Sequence, residues 1–231
     1  MKEIKATSIF EAIQGEGLNT GIYTLFIRLY TKHCFPNKKR CKFCDTVNQD
    51  YYKPNFNEEQ ILKKVKEINP SMITITGGEF FRLDTKVAEN FIFELSKVCD
   101  YIELETNGSF DFKQATLMKY FKNINISLKL ENAQTNFKYD YAVLKNMNEL
   151  YSVSDKFSWK FVVGKNTDKD IKIIKDAIKK ISIKKKNVWL MGMTPNKVEF
   201  RKEIADLCIE NKYNYSPRLH IDLYGDVDFE V

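Results

Sequence analysis

The chain has 231 residues, of which 43% are hydrophobic and 29% are charged, and its formal net charge is +6. This length suits one domain with a full hydrophobic core, and the composition excludes a disordered or collagen-like chain. No apolar run is as long as a membrane span, and the first residues lack the pattern of a signal peptide. We therefore expect a cytoplasmic protein whose thiols stay reduced.

Short apolar runs of strand character alternate with helical patterns along the chain. The predicted strands are residues 23–30, 72–76, 101–106, 124–129, 158–163, 188–193 and 218–223. The predicted helices are residues 58–68, 85–98, 115–121, 142–151, 168–181 and 196–210, and Asn57 with Gln60 is expected to cap the first of them. Repeated βα units predict one α/β domain, residues 1–231, with a mostly parallel sheet that is closed or partly closed. Its ligands should bind at the carboxyl ends of the strands.

Much of the excess positive charge falls on residues 169–186, where lysines punctuate an apolar pattern of helical period. This pattern predicts an amphipathic helix with a solvated basic face. A surface that binds nucleic acid is the less favoured interpretation.

Three of the five cysteines, Cys34, Cys41 and Cys44, fall within eleven residues. Three thiolates can hold a four-iron cluster and leave one iron without a protein ligand. A structural zinc ion would need a fourth ligand, which His33 could supply, and unliganded thiols are a third interpretation. The spacing alone leaves the cluster and the zinc site about equally favoured.

A second motif, Gly77-Gly78-Glu79, directly follows the predicted strand 72–76. Two consecutive glycines let a ligand lie against the backbone, and the carboxylate can accept hydrogen bonds from an ammonium group. This combination suits an amino-acid moiety, although paired glycines most often only form a turn.

Taken together, the cysteine triplet and the Gly-Gly-Glu motif resemble the radical S-adenosylmethionine superfamily. The resemblance implies a partial (β/α) barrel, a [4Fe-4S] cluster on the three cysteines, and S-adenosylmethionine bound to the open iron. Six residues separate Cys34 from Cys41, where three are commonest in the superfamily, but the two-residue gap to Cys44 is retained. Phe43 matches an aromatic residue that packs near the adenine.

A narrower resemblance extends from about residue 9 to about residue 225. It is carried by the order and spacing of Gln14-Gly15-Glu16-Gly17, Arg28, Cys44-Asp45-Thr46, Glu105-Thr106-Asn107-Gly108-Ser109 and Ser216-Pro217-Arg218-Leu219-His220. These motifs resemble the 7-carboxy-7-deazaguanine synthase family. That family converts 6-carboxy-5,6,7,8-tetrahydropterin into 7-carboxy-7-deazaguanine with loss of ammonia, in the biosynthesis of queuosine and related deazapurines.

The resemblance implies three sets of site residues, and it assigns none as a general acid or base. Substrate contacts are Ile13, Gln14, Gly15, Glu16, Arg28, Thr106 and His220. Cofactor contacts are Phe43, Asp45, Gly77, Gly78, Glu79, Gly108, Ser127, Lys129 and Met191, and Thr46 is a magnesium ligand. Physically, Glu16 and Gln14 suit the guanine-like edge of the pterin, and a guanidinium such as Arg28 pairs well with its carboxylate.

The sequence departs from the family pattern at three places: Leu128 replaces a proline between Ser127 and Lys129, Phe80 replaces a proline after Glu79, and the tail after Gly225 differs. The resemblance also implies a homodimer and an electron donor such as flavodoxin or ferredoxin, with no membrane or nucleic acid required. Two alternatives remain: a radical enzyme that activates a partner protein, and a zinc-stabilised basic module that binds nucleic acid.

Overall fold

The computed structural model describes residues 3–44, 46, 52–151, 155–193 and 198–225. Its strands are β1 Lys5–Ile13, β2 Tyr23–Leu29, β3 Phe56–Asn57, β4 Ile73–Gly77, β5 Ile102–Thr106, β6 Asn123–Ser127, β7 Phe157–Val163, β8 Val188–Gly192 and β9 Asn214–Tyr215. Its α-helices are α1 Glu58–Ile68, α2 Thr85–Ser96, α3 Tyr141–Tyr151, α4 Thr167–Ile181, α5 Val198–Asn211 and α6 Leu219–Tyr224.

All these strands form one sheet in the order β3-β1-β2-β4-β5-β6-β7-β8-β9. β1 runs antiparallel to both of its neighbours, and every pair from β2 to β9 is parallel. The sheet is open, with β3 at one edge and β9 at the other. The sheet therefore does not close into a complete barrel, and of the two predicted forms the structure supports the partly closed one.

The two faces of the sheet differ in polarity because side chains alternate between them. On β5 and β6, the apolar residues Leu104, Ile124 and Ile126 are fully buried in the core that the helices cover. The intervening residues, such as Glu103 and Asn125, are polar and equally buried. The polar face, called the inner face below, is therefore available to a ligand.

The helix α1 shows how residues close together in the sequence determine where a helix begins and ends. The side chain of Asn57 accepts a hydrogen bond from the backbone of Gln60, and the Gln60 side chain accepts one from the backbone of Asn57, both at 2.9 Å. Asn69 ends the helix in the left-handed conformation. The predicted cap and helix end are confirmed.

Six of the predicted strands are confirmed to within two residues at either end, but the prediction for residues 218–223 is wrong, because α6 lies there. Ile221 is buried in α6 while Leu223 is 56% exposed, so this segment has too little apolar surface for an inner strand. The sequence did not predict β1, β3 or β9. The predicted helix 115–121 is a 3₁₀ helix, Phe112–Tyr120.

The other predicted helices are confirmed within about two residues, although residues 196 and 197 at the start of the last one lie outside the described residues. The lysine-rich segment forms α4, whose buried residues include Ile171, Ile174 and Ile181 and whose lysines are mostly exposed. No helix in the described ranges is both long enough and apolar enough to cross a membrane.

Candidate active site

A cavity of about 280 Å³ opens on the inner face at the carboxyl ends of the parallel strands. It brings together most of the residues that the sequence singled out. Those that line it are Ile13, Gln14, Gly15, Glu16, Arg28, Cys34, Cys41, Phe43, Cys44, Thr46, Gly77, Gly78, Glu79, Thr106, Ser127, Lys129, Met191 and His220. Asp45 lies outside the described residues.

Gly108 is placed behind the cavity wall. Its φ of +78° is in the region that favours glycine, and a Cβ there would lie 2.8 Å from Cδ2 of Leu128. Leu128 is itself buried and packs on the side away from the cavity, where a proline stands in the family pattern. The role of Gly108 as a cofactor contact stays a prediction.

The cysteine loop is anchored by an aromatic cluster and by backbone hydrogen bonds. Phe35, which is 1% exposed, packs with Cys41 and Ala133 in a small core of their own. The carbonyl of Cys34 accepts a hydrogen bond from Nδ2 of Asn107 at 2.8 Å, and Lys42 N donates to the Ala133 carbonyl at 3.0 Å. The long gap between Cys34 and Cys41 is thus an ordered loop that returns all three thiols to the cavity.

The three thiols line one cavity, and their number is that of the protein ligands of a four-iron cluster with one open iron. Across the residues that the structure describes, no three His, Cys, Asp or Glu side chains lie close enough to hold one metal ion. Burial, and after it the charge of Glu79 and the other two thiols, raises the pKa of Cys34 to about 12. The thiolate form of Cys34 therefore needs a cationic partner, which a bound iron-sulfur cluster would provide.

The Gly-Gly-Glu motif joins the ends of β2, β4 and β5. A Cβ on Gly78 would lie 2.5 Å from Oγ1 and 2.8 Å from N of Thr31, so the strand ends approach each other as closely as glycine allows. Glu79 accepts hydrogen bonds from Oγ1 of Thr106 at 2.7 Å and from N of Asn107 at 2.8 Å. Burial raises the pKa of Glu79, and these donors oppose that rise.

At the inner end of the cavity, Gln14 orients Glu16. Nε2 of Gln14 donates to Oε1 of Glu103 at 2.7 Å, and Oε1 of Gln14 accepts from the backbone N of Glu16 at 3.2 Å. The structure thus directs the Gln14 amide towards the protein, and the predicted contact with the pterin edge remains a prediction.

The carboxylate of Glu16 lies between two cations. Nζ of Lys160 donates to its Oε2 at 2.5 Å, and Nε of Arg218 lies 3.5 Å from its Oε1. Burial by itself would raise the pKa of Glu16, but Lys160 and then Arg218 lower it to about 2. Glu16 is consequently an ionised acceptor over the whole physiological pH range.

Cationic side chains occupy two further parts of the wall. The guanidinium of Arg28 lies 4.5 Å from the ring centroid of Phe10, which stacks on Phe26 at 5.2 Å. On the next wall, Nζ of Lys129 donates to Oγ of Ser127 at 2.8 Å. Both cations face a cavity in which a carboxylate-bearing ligand would find partners.

Several known proteins resemble the chain over nearly its whole length. No family model matches the chain. The 7-carboxy-7-deazaguanine synthase of Hyperthermus butylicus is 25% identical, covering 94% of this chain and 92% of its own. The synthase of Pyrobaculum aerophilum is 28% identical over 96% of both chains, and that of Clostridium acetobutylicum is 28% identical over 91% and 90%. Over nearly its whole length, the chain is therefore similar to 7-carboxy-7-deazaguanine synthases.

The crystal structure of QueE from Escherichia coli matches this fold with a TM-score of 0.66, at 19% identity and over 94% of this chain and 95% of that one. This likeness confirms the predicted partial barrel with mostly parallel strands. Neither the partner-activating enzyme nor the zinc-stabilised nucleic-acid-binding module is favoured by these relatives.

Six polar residues line the cavity although the sequence analysis predicted no site role for them. Three of them, Glu105, Asn107 and Arg218, stand in motifs that it quoted, and the other three are Thr76, Asn125 and Lys160. Asn125 precedes Ser127 by two residues on β6, and Lys160 lies opposite Ser127 on β7. The period of two along each strand could have indicated Asn125, but the pairing of β6 with β7 was needed to find Lys160.

Proposed function

We propose that the protein is a 7-carboxy-7-deazaguanine synthase, a single-domain radical S-adenosylmethionine enzyme that acts on 6-carboxy-5,6,7,8-tetrahydropterin and releases ammonia. One observation carries the proposal. A single cavity unites three cysteine thiols, the Gly-Gly-Glu strand end, an ionised glutamate and a half-buried arginine.

The substrate has two ends that need opposite partners. Its guanine-like edge presents N–H donors, which suit the ionised carboxylate of Glu16. Its carboxylate suits the guanidinium of Arg28, which the ring of Phe10 supports from one side. Phe26 stacks on Phe10 and extends a flat apolar surface along the same wall.

Cys34, Cys41 and Cys44 would hold the [4Fe-4S] cluster, and the walls at Glu79 and Lys129 would hold S-adenosylmethionine. When bound, the cluster and S-adenosylmethionine supply the one-electron chemistry that begins the reaction. The protein's own residues bind and orient the substrate and exclude water, so that the reacting atoms meet in one geometry.

Several finer parts of the proposal follow from the family. Thr46 lines the cavity and would contribute one oxygen to a magnesium ion that also binds the substrate carboxylate. A flavodoxin or a ferredoxin would supply the electron, the enzyme would work as a cytoplasmic homodimer, and its product would feed the synthesis of queuosine or a related deazapurine.

The test is turnover by anaerobically reconstituted protein. The protein is incubated with the tetrahydropterin, S-adenosylmethionine and a reductant, and 7-carboxy-7-deazaguanine is measured by mass spectrometry. Cys34→Ala should abolish the product, whereas Cys208→Ala should retain it, because Cys208 is buried in α5 away from the cavity. Reconstituted protein that binds iron and S-adenosylmethionine but forms no deazapurine would refute the proposal. A radical formed only on an added partner protein would favour the activating enzyme.

A further inference from the structure

The wall of the cavity formed by β6 and β7 carries two buried polar side chains without an assigned role, Asn125 and Lys160. The two strands pair in parallel, with Asn125 opposite Ser158 and Ser127 opposite Lys160. Asn125 and Lys160 are therefore diagonal neighbours on the inner face. The carboxylate of Glu16 explains why Lys160 is buried here, because the two form an ion pair. The amide of Asn125 still needs a hydrogen-bond partner.

Lys160 places a hydrogen-bond donor next to the two acceptors of Glu16. Its Nζ lies 2.5 Å from Oε2 of Glu16, and the two side chains are 6% and 15% exposed. Nε of Arg218 lies beside the other carboxylate oxygen, at 3.5 Å, and holds the carboxylate from a second direction. Along the wall, the protein thus presents two hydrogen-bond acceptors, the carboxylate oxygens of Glu16, and then one donor, the ammonium group of Lys160.

Asn125 has a donor and an acceptor that the protein itself does not use. The residue is 1% exposed, and neither Nδ2 nor Oδ1 has a hydrogen-bond partner within the described ranges. Asn123, on the same face of β6, differs: its Nδ2 donates to Glu103 at 2.7 Å and its Oδ1 accepts from Ser158 at 3.2 Å. A buried amide without a partner destabilises the folded protein, so a ligand that satisfies Asn125 would explain its presence.

The position of Asn125 relates it to the substrate end of the cavity. A Cβ placed on Gly17 would lie 3.0 Å from Nδ2 of Asn125, so the amide lies against the loop that carries Glu16. The three groups, Glu16, Lys160 and Asn125, consequently form one continuous polar surface on this wall.

We propose that Lys160 and Asn125 are specificity-determining residues that read the carbonyl side of the pterin edge while Glu16 reads its N–H side. The inference rests on the proposed function. A pterin presents an amino group, a ring N–H and a carbonyl in a row, which is donor, donor and acceptor. Glu16 accepts from the first two, Lys160 donates to the carbonyl, and Asn125 meets the carbonyl and N5, the ring nitrogen on its other side. An amino group in place of the carbonyl would oppose one donor with another, and it would also remove the ring hydrogen that Glu16 accepts.

The experiment uses two fluorescent probes, 6-carboxypterin and 2,4-diaminopteridine-6-carboxylate, which differ at the carbonyl and at the ring N–H beside it. Their affinities are measured by fluorescence titration against anaerobically reconstituted protein with S-adenosylmethionine and no reductant. We expect the native protein to prefer the carbonyl compound by about thirtyfold or more, because the amino compound leaves a buried donor unpaired. Lys160→Met should reduce this preference at least about fivefold, and the part that remains reflects the ring N–H that the amino compound lacks opposite Glu16. Lys179→Met, on the exposed face of α4, should leave it unchanged.

Asn125→Val separates recognition from folding. The variant should bind 6-carboxypterin about tenfold more weakly, while its urea unfolding midpoint equals or exceeds that of the native protein, because an orphaned amide has been removed. Asn148→Val is the contrasting control. Nδ2 of Asn148 donates to the carbonyl of Ser182 at 3.1 Å, so that variant should lose stability and keep its pterin affinity.

The possible failures are distinguishable. Native protein that binds neither compound would refute the proposed function and this inference with it. Native protein that prefers 6-carboxypterin would refute the inference alone if Lys160→Met kept the full preference or if Asn125→Val bound as the native protein does. If Lys160→Met fails to fold because Glu16 loses its ion partner, Lys160→Gln takes its place. Its amide can donate to Glu16 and present either an oxygen or a nitrogen to the ligand, so the preference should fall as well.

Discussion

Glu103 makes the stability of this fold fall as the pH rises through neutrality. The residue lies on β5, is 1% exposed, and accepts hydrogen bonds from the side chains of Gln14, Asn19 and Asn123. Burial and then the nearby charge of Glu105 raise the pKa of Glu103 from 4.5 to about 7, and the three donors only partly oppose this rise.

The sign and size of the effect follow from proton linkage. Between pH 4.5 and pH 7, the folded protein holds a proton on Glu103 that the unfolded chain has released, so raising the pH favours unfolding. With these two pKa values, the free energy of unfolding should fall by about 2 to 3 kcal/mol between pH 5 and pH 8 from this carboxyl alone.

Urea unfolding at pH 5, 6, 7 and 8 tests this value. Glu103→Gln cannot titrate, so the free-energy difference between the variant and the native protein should shift by about 2 to 3 kcal/mol in favour of the variant across this range. Glu11→Gln is the matched control, because Glu11 is exposed on β1 and should leave the pH dependence unchanged. A shift below about 0.5 kcal/mol for Glu103→Gln would show that the carboxyl is ionised in the fold at all these pH values.

Three further substitutions test the packing around the site. Gly78→Ala places a Cβ 2.5 Å from Oγ1 of Thr31, so the free energy of unfolding should fall by about 2 kcal/mol, and an unchanged urea midpoint would contradict the close approach. Gly15→Ala directs its Cβ into the ring of His220. Affinity for 6-carboxypterin should then weaken about tenfold, and native affinity would rule out this packing. Asn57→Ala should cost about 1 kcal/mol in urea unfolding, and a change below about 0.3 kcal/mol would mean that the cap contributes little.

Short-range signals were the most reliable guides to the fold. The cap at Asn57 and the helix that follows depend on residues within four positions of each other, so the sequence displays them directly. The strand predicted at residues 218–223 failed because three alternating apolar residues also suit a short helix, and only burial distinguishes the two. β1 was missed because Thr7 and Ser8 are polar and yet buried, which only the neighbouring strands could reveal.

The sequence by itself determined the residues for the chemistry, because three clustered cysteines, a Gly-Gly-Glu strand end and Arg28 are recognisable by type and spacing. The tertiary structure decided which of these share a cavity and which unmarked residues join them. Lys160 lies 144 residues from Glu16 along the chain, and only the order and register of the parallel strands bring their charges into contact. Interactions between distant segments depend on that register, and a linear pattern does not encode it.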